Sequence, residues 1–439
     1  MIHEITKNVK EKITLMIREL NDHLTRPMQK YLIEMITGCF ATKSLCLTSI
    51  SGSLHEKTDI KHTLKRLQRN TEKYSDLLDI SNSYNAHYAS EETKGASDIV
   101  ICVDGGDIVH KYGSSFELNC KVRDGSDKKS PYKMGYHINH AVCYEPNSKR
   151  VYPLYLNIYS SKSKEFKSAN IETLKMLDLL KMSFRDRGLY VFDRGYDGGY
   201  ILSYLYKHQM RFVIRSVGRR FVLYNGRAIR VKELCGSIIN RRYSKDGLRF
   251  GYAKCYFKKN PMTVVSVECK NGERLYFLCE GHLSKSKEVY RRIKSYFSRW
   301  KIEESYRFMK QQFGLERCLV RKYESIKTML GISLFGWHLL CRLESDEYSK
   351  MLLEKMAKRE KESRGEKKVC EFIHYRLSDG IRNALLGYNR SLFNFRNRDK
   401  SNDSKLYYVP VDYLLEKSER RCWIPLIPVI KRRKSSVVA

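Results

Sequence analysis

Long apolar runs are missing from this sequence. No stretch of about 18 consecutive apolar residues occurs, and the first residues, MIHEITKNVKEKITLMIREL, carry charges throughout. The 13 cysteines are scattered, no CxxC pair occurs, and the two nearest, Cys39 and Cys46, lie seven residues apart. We therefore expect no membrane span, signal peptide, zinc knuckle or disulfide scaffold, and instead reduced, mostly buried thiols in a cytoplasmic protein.

Acidic residues are scarce relative to basic ones. The 439 residues include 83 Lys and Arg but only 49 Asp and Glu, which gives a formal net charge of +34. Residues 217–280 hold 14 basic and 5 acidic residues, and residues 281–323 hold 12 and 4. Such an excess indicates a polyanionic partner, either nucleic acid or an anionic membrane surface. The lack of apolar runs favours nucleic acid, with its strongest contacts in these two segments.

The first 95 residues have the apolar spacing of helices. The segment TDIKHTLKRLQRN predicts a helix with Thr58 or Asp59 as its N-cap. An apolar stripe is expected on this helix at Ile60, Leu64 and Leu67. Basic residues recur every four positions on another side of it, at Lys57, Lys61, Lys65 and Arg69. This pattern is typical of a helix-turn-helix whose last helix faces DNA phosphates, and equally of a basic helix packed on its neighbours.

Two later apolar strands each end in an aspartate followed by glycines. SDIVICVD ends at Asp104, after which Gly105 and Gly106 predict a tight turn, and GLYVFD ends at Asp193. Between them, GYHINHAVCY and RVYPLYLNIYSS predict a hairpin, and IETLKMLDLLKMSF predicts an amphipathic helix. Strands alternating with helices indicate an α/β fold.

The pattern divides the chain into five segments. We expect a helical DNA-binding region over 1–95 and the first part of an α/β core over 96–216. A β-rich basic insertion over 217–287 precedes a further core segment, 288–323, whose helix carries a third acid. Residues 324–439 predict a mostly helical region that ends in a basic tail.

The third acid, Glu303, lies in YFSRWKIEESYRFMK, a stretch without a helix breaker. In one continuous helix, 3.6 residues per turn would place Tyr296, Arg299, Glu303 and Lys310 on the same face. The simplest interpretation is a solvated face in which Arg299 and Glu303 form an i,i+4 ion pair.

Three carboxylates on separate rigid elements also suit phosphodiester chemistry. Two divalent ions held close together need a few such carboxylates, and hard oxygen ligands favour Mg²⁺ or Mn²⁺ over zinc. Asp104, Asp193 and Glu303 are therefore the candidate metal ligands.

From residue 98 to about 320, the sequence resembles DDE transposases of the insertion-sequence-four family. The resemblance is carried by the VDGG and FDRG strand ends, the β-rich insertion, and the signature Y-x2-R-x3-E-x6-K, which Tyr296, Arg299, Glu303 and Lys310 match in spacing. It implies a ribonuclease H-like catalytic core interrupted by a β-rich insertion.

The resemblance also implies roles for these residues. Asp104, Asp193 and Glu303 would be the catalytic, metal-binding triad, and Tyr296, Arg299 and Lys310 would contact DNA near the scissile phosphate. The activity implied is binding of the element's terminal inverted repeats, followed by metal-dependent cleavage and strand transfer into target DNA. The working species would be a homodimer on double-stranded DNA.

One feature departs from the family. Some relatives use a Trp in the insertion to stack on a flipped base, whereas the tryptophans here are Trp300, Trp337 and Trp423, all outside residues 217–287. Another aromatic face could stack on a base instead. The candidates are Phe221, Tyr224, Tyr252, Tyr256 and Phe257.

Other acids and histidines have simpler interpretations. Asp107 and Asp197 are expected in loops or beside the triad, Glu304 points away from the triad face, and Asp124 and Asp127 lie in a polar turn. The histidines, which include His110, His137 and His140, show no ligand pairing in the sequence.

Two alternative functions remain. Another ribonuclease H-like nuclease or resolvase could use the same three acids, and a transposase-derived protein could bind DNA without cutting it.

Overall fold

The computed structural model describes residues 2–110, 115–123, 132–238, 243–357, 362–363, 366–367 and 372–388. Asp124, Asp127, Trp423 and the basic C-terminal tail lie outside these residues. In the described part, no helix is long and apolar enough to cross a membrane.

Helices dominate both ends of the described chain. They are α1 (Ile2–Glu19), α2 (Arg26–Thr42), α3 (Leu47–Ser53), α4 (Ile60–Lys73), α5 (Leu77–Glu92), α6 (Ala169–Phe184), α7 (Gly199–Lys207), α8 (Val231–Ile238), α9 (Ser286–Phe297), α10 (Trp300–Gln312), α11 (Tyr323–Ser345), α12 (Glu347–Ala357) and α13 (His374–Tyr388).

The strands occupy the middle of the chain. They are β1 (Val100–Val109), β2 (Cys120–Arg123), β3 (Tyr132–Glu145), β4 (Arg150–Tyr159), β5 (Leu189–Phe192), β6 (Phe212–Ser216), β7 (Phe221–Tyr224), β8 (Arg227–Arg230), β9 (Tyr243–Lys245), β10 (Leu248–Phe257), β11 (Asn260–Glu268) and β12 (Arg274–Glu280), with a short pair β13 (Glu362–Ser363) and β14 (Glu366–Lys367).

One mixed sheet joins strands β1 to β12. Its order is β2-β3-β1-β5-β6-β12-β11-β10-β7-β8, with β4 on β3 and β9 on β10. Strands β1, β5 and β6 are parallel, and β12 then pairs antiparallel with β6. The β-rich insertion therefore extends the central sheet across a hydrogen-bonded seam.

The predicted hairpin is confirmed, but the predicted turn after Asp104 is wrong. Strands β3 and β4 pair around the turn at residues 146–149. Strand β1 runs on through Gly105 and Gly106 to Val109, because β3 pairs with it along its whole length, whereas β5 pairs only with residues 100–103. Asp104 thus lies where the parallel pairing ends and the antiparallel pairing continues.

The N-terminal helices pack on the sheet through α5 and α11. Helix α5 contacts both β4 and α11, and α11 is buried over nearly all of its length. Polar contacts add to this packing: His338 Nδ1 lies 2.9 Å from Asn85 Oδ1, and Arg342 donates to the Tyr84 hydroxyl (2.8 Å) and to Glu19. The N-terminal helices therefore share a core with the C-terminal helices and the sheet.

Helix α4 differs in part from its predicted pattern. Asp59 caps it as expected, accepting the Lys61 N–H at 2.7 Å, but its buried face is Thr63, Leu67 and Thr71. Leu67 is buried and Leu64 is partly buried, but Ile60 is 57% exposed, so the predicted apolar stripe is confirmed only at Leu64 and Leu67. The reason is that α4 packs through a narrow face on α3, α11 and α2.

The contact between α5 and α11 predicts a strong effect of one methyl group. A Cβ on Gly331 would lie 2.8 Å from the backbone atoms Leu77 O and Leu78 N, whereas on Gly336 it would meet the movable Phe313 ring at 3.0 Å. Gly331→Ala should lower the free energy of unfolding by about 1–2 kcal/mol, because overpacking outweighs the better helix propensity of Ala.

Denaturant midpoints measure this difference. Gly336→Ala is the matched control, with a smaller loss expected because the Phe313 side chain can shift. A more stable Gly331→Ala variant would contradict the packing described above.

Candidate active site

Two neighbouring parallel strands place two aspartates side by side. Val103 of β1 pairs with Phe192 of β5, and Asp104 and Asp193 are the next residue on each strand. Neighbouring strands lie about 4.8 Å apart, so the two side chains leave the sheet at the same place. After Asp193 the chain makes a single 3₁₀ turn over Arg194–Tyr196.

A break between two helices brings cations to these acids. The predicted single helix over residues 296–310 is wrong, because α9 ends at Phe297 and α10 begins at Trp300. Ser298 and Arg299 form the junction, with Ser298 O facing Cys102 Sγ of β1 at 3.8 Å. Helix α9 packs on β5 and β6, and α10 packs on β1 and β3, so the junction lies over the strand ends that carry the aspartates.

Arg299 bridges two of the three acids. Its Nη1 donates to Asp104 Oδ2 at 3.0 Å, and its Nη2 donates to Glu303 Oε1 at 2.6 Å. The third acid, Asp193, accepts a hydrogen bond from the Tyr296 hydroxyl at 3.2 Å. Arg299 Nε is buried and has no hydrogen-bond partner. The guanidinium therefore binds the carboxylates through its two terminal nitrogens, Nη1 and Nη2, alone.

Burial and like charges alter the ionisation of Asp104. Burial raises its pKa to about 6; the Arg299 charge opposes this rise, and the charges of Asp193 and Glu303 add to it. The Gly105 N–H also donates to the Asp104 carboxylate (2.9 Å). The pKa of Arg299 is raised, since the acids around it outweigh its burial. Asp104 is therefore poised between the attraction of Arg299 and the repulsion of two other carboxylates.

Two cations near the site, Arg215 and Lys310, differ from the sequence-based expectation. Arg215 was not predicted to lie there, and Lys310 has an ion-pair partner that was not predicted. Arg215 of β6 lies 4.0 Å from Asp193 Oδ1 and 3.0 Å from Glu273 Oε1; its signal was a charged residue inside the apolar strand RFVIRSV. Lys310 is on α10, but its Nζ pairs with Glu316 Oε1 at 2.6 Å and lies over the Tyr306 ring. It does not contact the three acids.

The three acids are chemically suitable metal ligands, but they lie too far apart in this structure to bind one ion together. Their donors are carboxylate oxygens from three rigid elements, as a Mg²⁺ site requires. In the described part of the chain, however, no three His, Cys, Asp or Glu side chains lie close enough together to hold an ion. Arg299 spans the space between Asp104 and Glu303, so these residues fit a divalent ion only once the guanidinium withdraws.

The other acids have their own partners. Asp197 is paired with Arg220 Nε and the Ser216 hydroxyl, both at 2.5 Å, and Glu304 is paired with Arg307 (3.1 Å). Asp107 lies within β1 rather than in a loop, which corrects the prediction, because β1 continues to Val109. His140 is buried, which lowers its pKa to about 3.

The insertion presents some of the aromatic candidates to solvent and hides one. Phe221 is 57% exposed and Tyr256 is 43% exposed, whereas Phe257 is buried and stacks on Tyr206. Phe257 therefore offers no free face to a base. Phe221 borders a concave pocket of about 850 Å³ that Arg219, Arg230 and Lys232 also line.

Two strand-borne aspartates and a helix-borne glutamate thus lie around Arg299 and Tyr296. The profile of the transposase DDE domain family matches residues 95–338, which is more than half of the 439 residues. The chain belongs to this family and is a transposase.

A solved structure also shows some similarity. It is the cryo-EM structure of a piggyBac transposase synaptic complex with hairpin DNA, which is 12% identical to this chain with a TM-score of 0.40, over 92% of this chain and 80% of that chain. A TM-score this low does not establish a common fold. No curated protein matches the chain.

The raised pKa of Asp104 predicts a stability gain on its neutralisation. The folded pKa of about 6 exceeds the reference value of 3.8, so the native state binds more protons between these values, and its stability falls as pH rises through that window. In EDTA at pH 7.5, Asp104→Asn should raise the free energy of unfolding by about 1–3 kcal/mol.

The gain should shrink towards pH 4, where Asp104 is protonated. Chemical denaturation at both pH values measures it, and Asp186→Asn, at a side chain that is 86% exposed, is the control without a gain. A loss of stability at pH 7.5 would show that the Arg299 ion pair outweighs the burial of Asp104.

Proposed function

We propose that this transposase uses Asp104, Asp193 and Glu303 to cleave DNA at the terminal inverted repeats of its own element and to transfer the ends to target DNA. The observation that carries the proposal is the convergence of three acids, from β1, the end of β5 and α10, on Arg299 and Tyr296. The Y-x2-R-x3-E-x6-K signature at Tyr296, Arg299, Glu303 and Lys310 supports membership of the insertion-sequence-four family.

The core strands support a ribonuclease H-like assignment. Strands β4, β3 and β1 are successively antiparallel, and β5 and β6 follow β1 in parallel. In chain order the five core strands are β1, β3, β4, β5 and β6. Such a sheet places acids from the first and the fourth of them, here β1 and β5, next to each other, as Asp104 and Asp193 are. The insertion then lies between β6 and α9, and it joins the sheet through β12.

The three acids would hold two Mg²⁺ or Mn²⁺ ions, which when bound activate the attacking water or hydroxyl and stabilise the leaving oxygen. The protein's own residues prepare this site. Burial raises the pKa of Asp104, so the carboxylate gains more from a cation than an exposed one would. Tyr296 orients Asp193 through its hydroxyl.

Arg299 is the residue that changes partners in this proposal. In the DNA-free protein it neutralises Asp104 and Glu303. Released from Asp104 and Glu303, its guanidinium would be free to bind a phosphate near the cleavage point, as planar bidentate groups do. Lys310 would exchange Glu316 for a phosphate in the same way, and Tyr296 would line the path of the strand.

Basic surfaces would carry the DNA towards the acids. Lys57, Lys61, Lys65 and Arg69 are all exposed. Lys57 precedes α4, and the other three lie on it. The insertion adds Arg219, Arg230 and Lys232 beside Phe221. Duplex ends bound to both surfaces would lie across the shared sheet. A homodimer would handle two ends together.

Cleavage of flanking DNA is the first test. Purified protein is incubated with labelled DNA from beside its gene in EDTA, Mg²⁺ or Mn²⁺, together with Asp193→Asn and Glu303→Gln. Metal-dependent nicking at a repeat boundary is expected for the wild type only. Glu303→Gln should retain end binding, because it removes a carboxylate and little DNA contact.

Each other outcome has a clear meaning. Binding without cleavage in any metal would indicate a DNA-binding protein without catalysis. Preferential cutting of branched DNA without repeat specificity would indicate a nuclease or resolvase. Loss of end binding by Glu303→Gln would contradict the role given to α10.

The exposed lysines of α4 predict a change in salt dependence. Lys61→Ala with Lys65→Ala should weaken binding to any duplex and reduce the slope of log K against log salt by about two, since each phosphate contact contributes about 0.9. Titrations at several salt concentrations measure the slope.

Lys94→Ala is the matched control, because Lys94 is 75% exposed but lies outside α4 and should leave the slope unchanged. If the double variant has the same slope of log K against log salt as the wild type, α4 is a basic helix packed on its neighbours rather than a helix that faces DNA.

A further inference from the structure

A thiol, an imidazole and a carboxylate meet on the sheet away from the three acids. Asp107 of β1 lies directly opposite His137 of β3, and Cys120 of β2 lies opposite Gly135, two residues before His137. Residues two apart on a strand share a face, and Gly135 has no side chain to separate them. Asp107 and Asp104 are three residues apart and thus on opposite faces of β1.

The imidazole is oriented by the carboxylate. His137 Nδ1 lies 2.7 Å from Asp107 Oδ1, and Asp107 Oδ2 accepts the Arg123 N–H at 3.1 Å. The Tyr159 ring stacks on the imidazole with ring centroids 5.3 Å apart. With Nδ1 committed to Asp107, Nε2 is the ring nitrogen left to face the thiol of Cys120, whose Sγ lies 3.4 Å from Gly135 O on the same strand as His137.

This environment favours a charged pair. Burial alone would raise the pKa of Cys120, but His137, the neighbouring Ser160 side chain and the Ser161 N–H outweigh it and lower the pKa to about 7. The hydrogen bonds to Asp107 and then to Cys120 raise the pKa of His137 to about 9. Between these values the thiol is deprotonated and the imidazole protonated.

Other buried cysteines behave in the opposite way. Burial raises the pKa of Cys102, Cys255 and Cys279 to about 12, and none of these pKa values is affected by a histidine. The sequence offered no sign of the difference, because Cys120, His137 and Asp107 are brought together only by strand register.

We infer that Cys120 is a covalent modification site, at which a thiolate paired with His137 reacts with small electrophiles such as hydrogen peroxide. The sulfur attacks one peroxide oxygen, the O–O bond breaks, and the departing hydroxide takes the His137 proton and leaves as water. Sulfur is oxidised by two electrons to sulfenic acid, and the peroxide is reduced. Cys120 is 1% exposed, so only small reagents should reach it, past the 31% exposed His137 side chain.

Three neighbouring tyrosines do not titrate in the relevant pH range. Burial raises their pKa values, so they stay neutral between pH 6 and 9. They are Tyr136, Tyr159 and Tyr323.

Peptide-resolved alkylation tests the inference. The full-length reduced protein is treated with iodoacetamide between pH 5.5 and 9.5, and the rate at each cysteine is read by mass spectrometry. The rate at Cys120 should be half-maximal near pH 7 and level off above about pH 8. At pH 7, His137→Gln should slow it about fivefold, because the loss of thiolate exceeds the gain in intrinsic nucleophilicity. After peroxide treatment, dimedone should label Cys120.

The chain provides an internal control. Cys269 is partly exposed, and burial together with Glu273 raises its pKa, so exposure alone would make it the faster of the two. Faster alkylation at Cys269 than at Cys120, a Cys120 rate that still rises above pH 8.5, or no reaction at Cys120 until the protein is unfolded would each overturn the inference. These wild-type measurements decide the matter even if His137→Gln does not fold.

Discussion

The guanidinium of Arg299 holds the candidate active site together. Asp104 and Glu303 come from different elements, and each would be repelled by the other without a cation between them. Arg299 can reach both only because the chain turns at Ser298 and Arg299, where α9 gives way to α10. The helix junction, the ends of the parallel strands and the ionisation of Asp104 are thus parts of one electrostatic arrangement.

Local sequence patterns predicted much of this core. Apolar runs of strand length predicted β1 and β5, because a sheet buried on both faces requires such runs, and alternating segments on either side of a turn predicted the β3–β4 hairpin. The two aspartates after β1 and β5 were grouped because metal-assisted phosphodiester cleavage needs carboxylates on separate rigid elements. The family signature around Glu303 supplied the third acid, and the family match to residues 95–338 supports the transposase assignment.

Tertiary contacts decided what the patterns could not. The glycines after Asp104 suggested a turn, but β3 keeps β1 extended to Val109. Residues 296–310 contain no helix breaker, yet packing of α9 on β5 and of α10 on β1 imposes a bend. Ile60 belongs to the predicted apolar stripe of α4, but it is 57% exposed. Arg215 and the Cys120 cluster depend on strand register, which a single sequence does not reveal.

The seam between β6 and β12 has a mechanical consequence. Residues 213–216 are hydrogen-bonded to residues 276–279, so the insertion and the acid-bearing strands move as one body rather than as two hinged modules. A DNA segment held by the insertion would keep a fixed distance and angle to the acids. The position of the bond to be cut would then depend on the fixed distance between the pocket at Phe221 and Asp193. That distance is set by the number of strands between them.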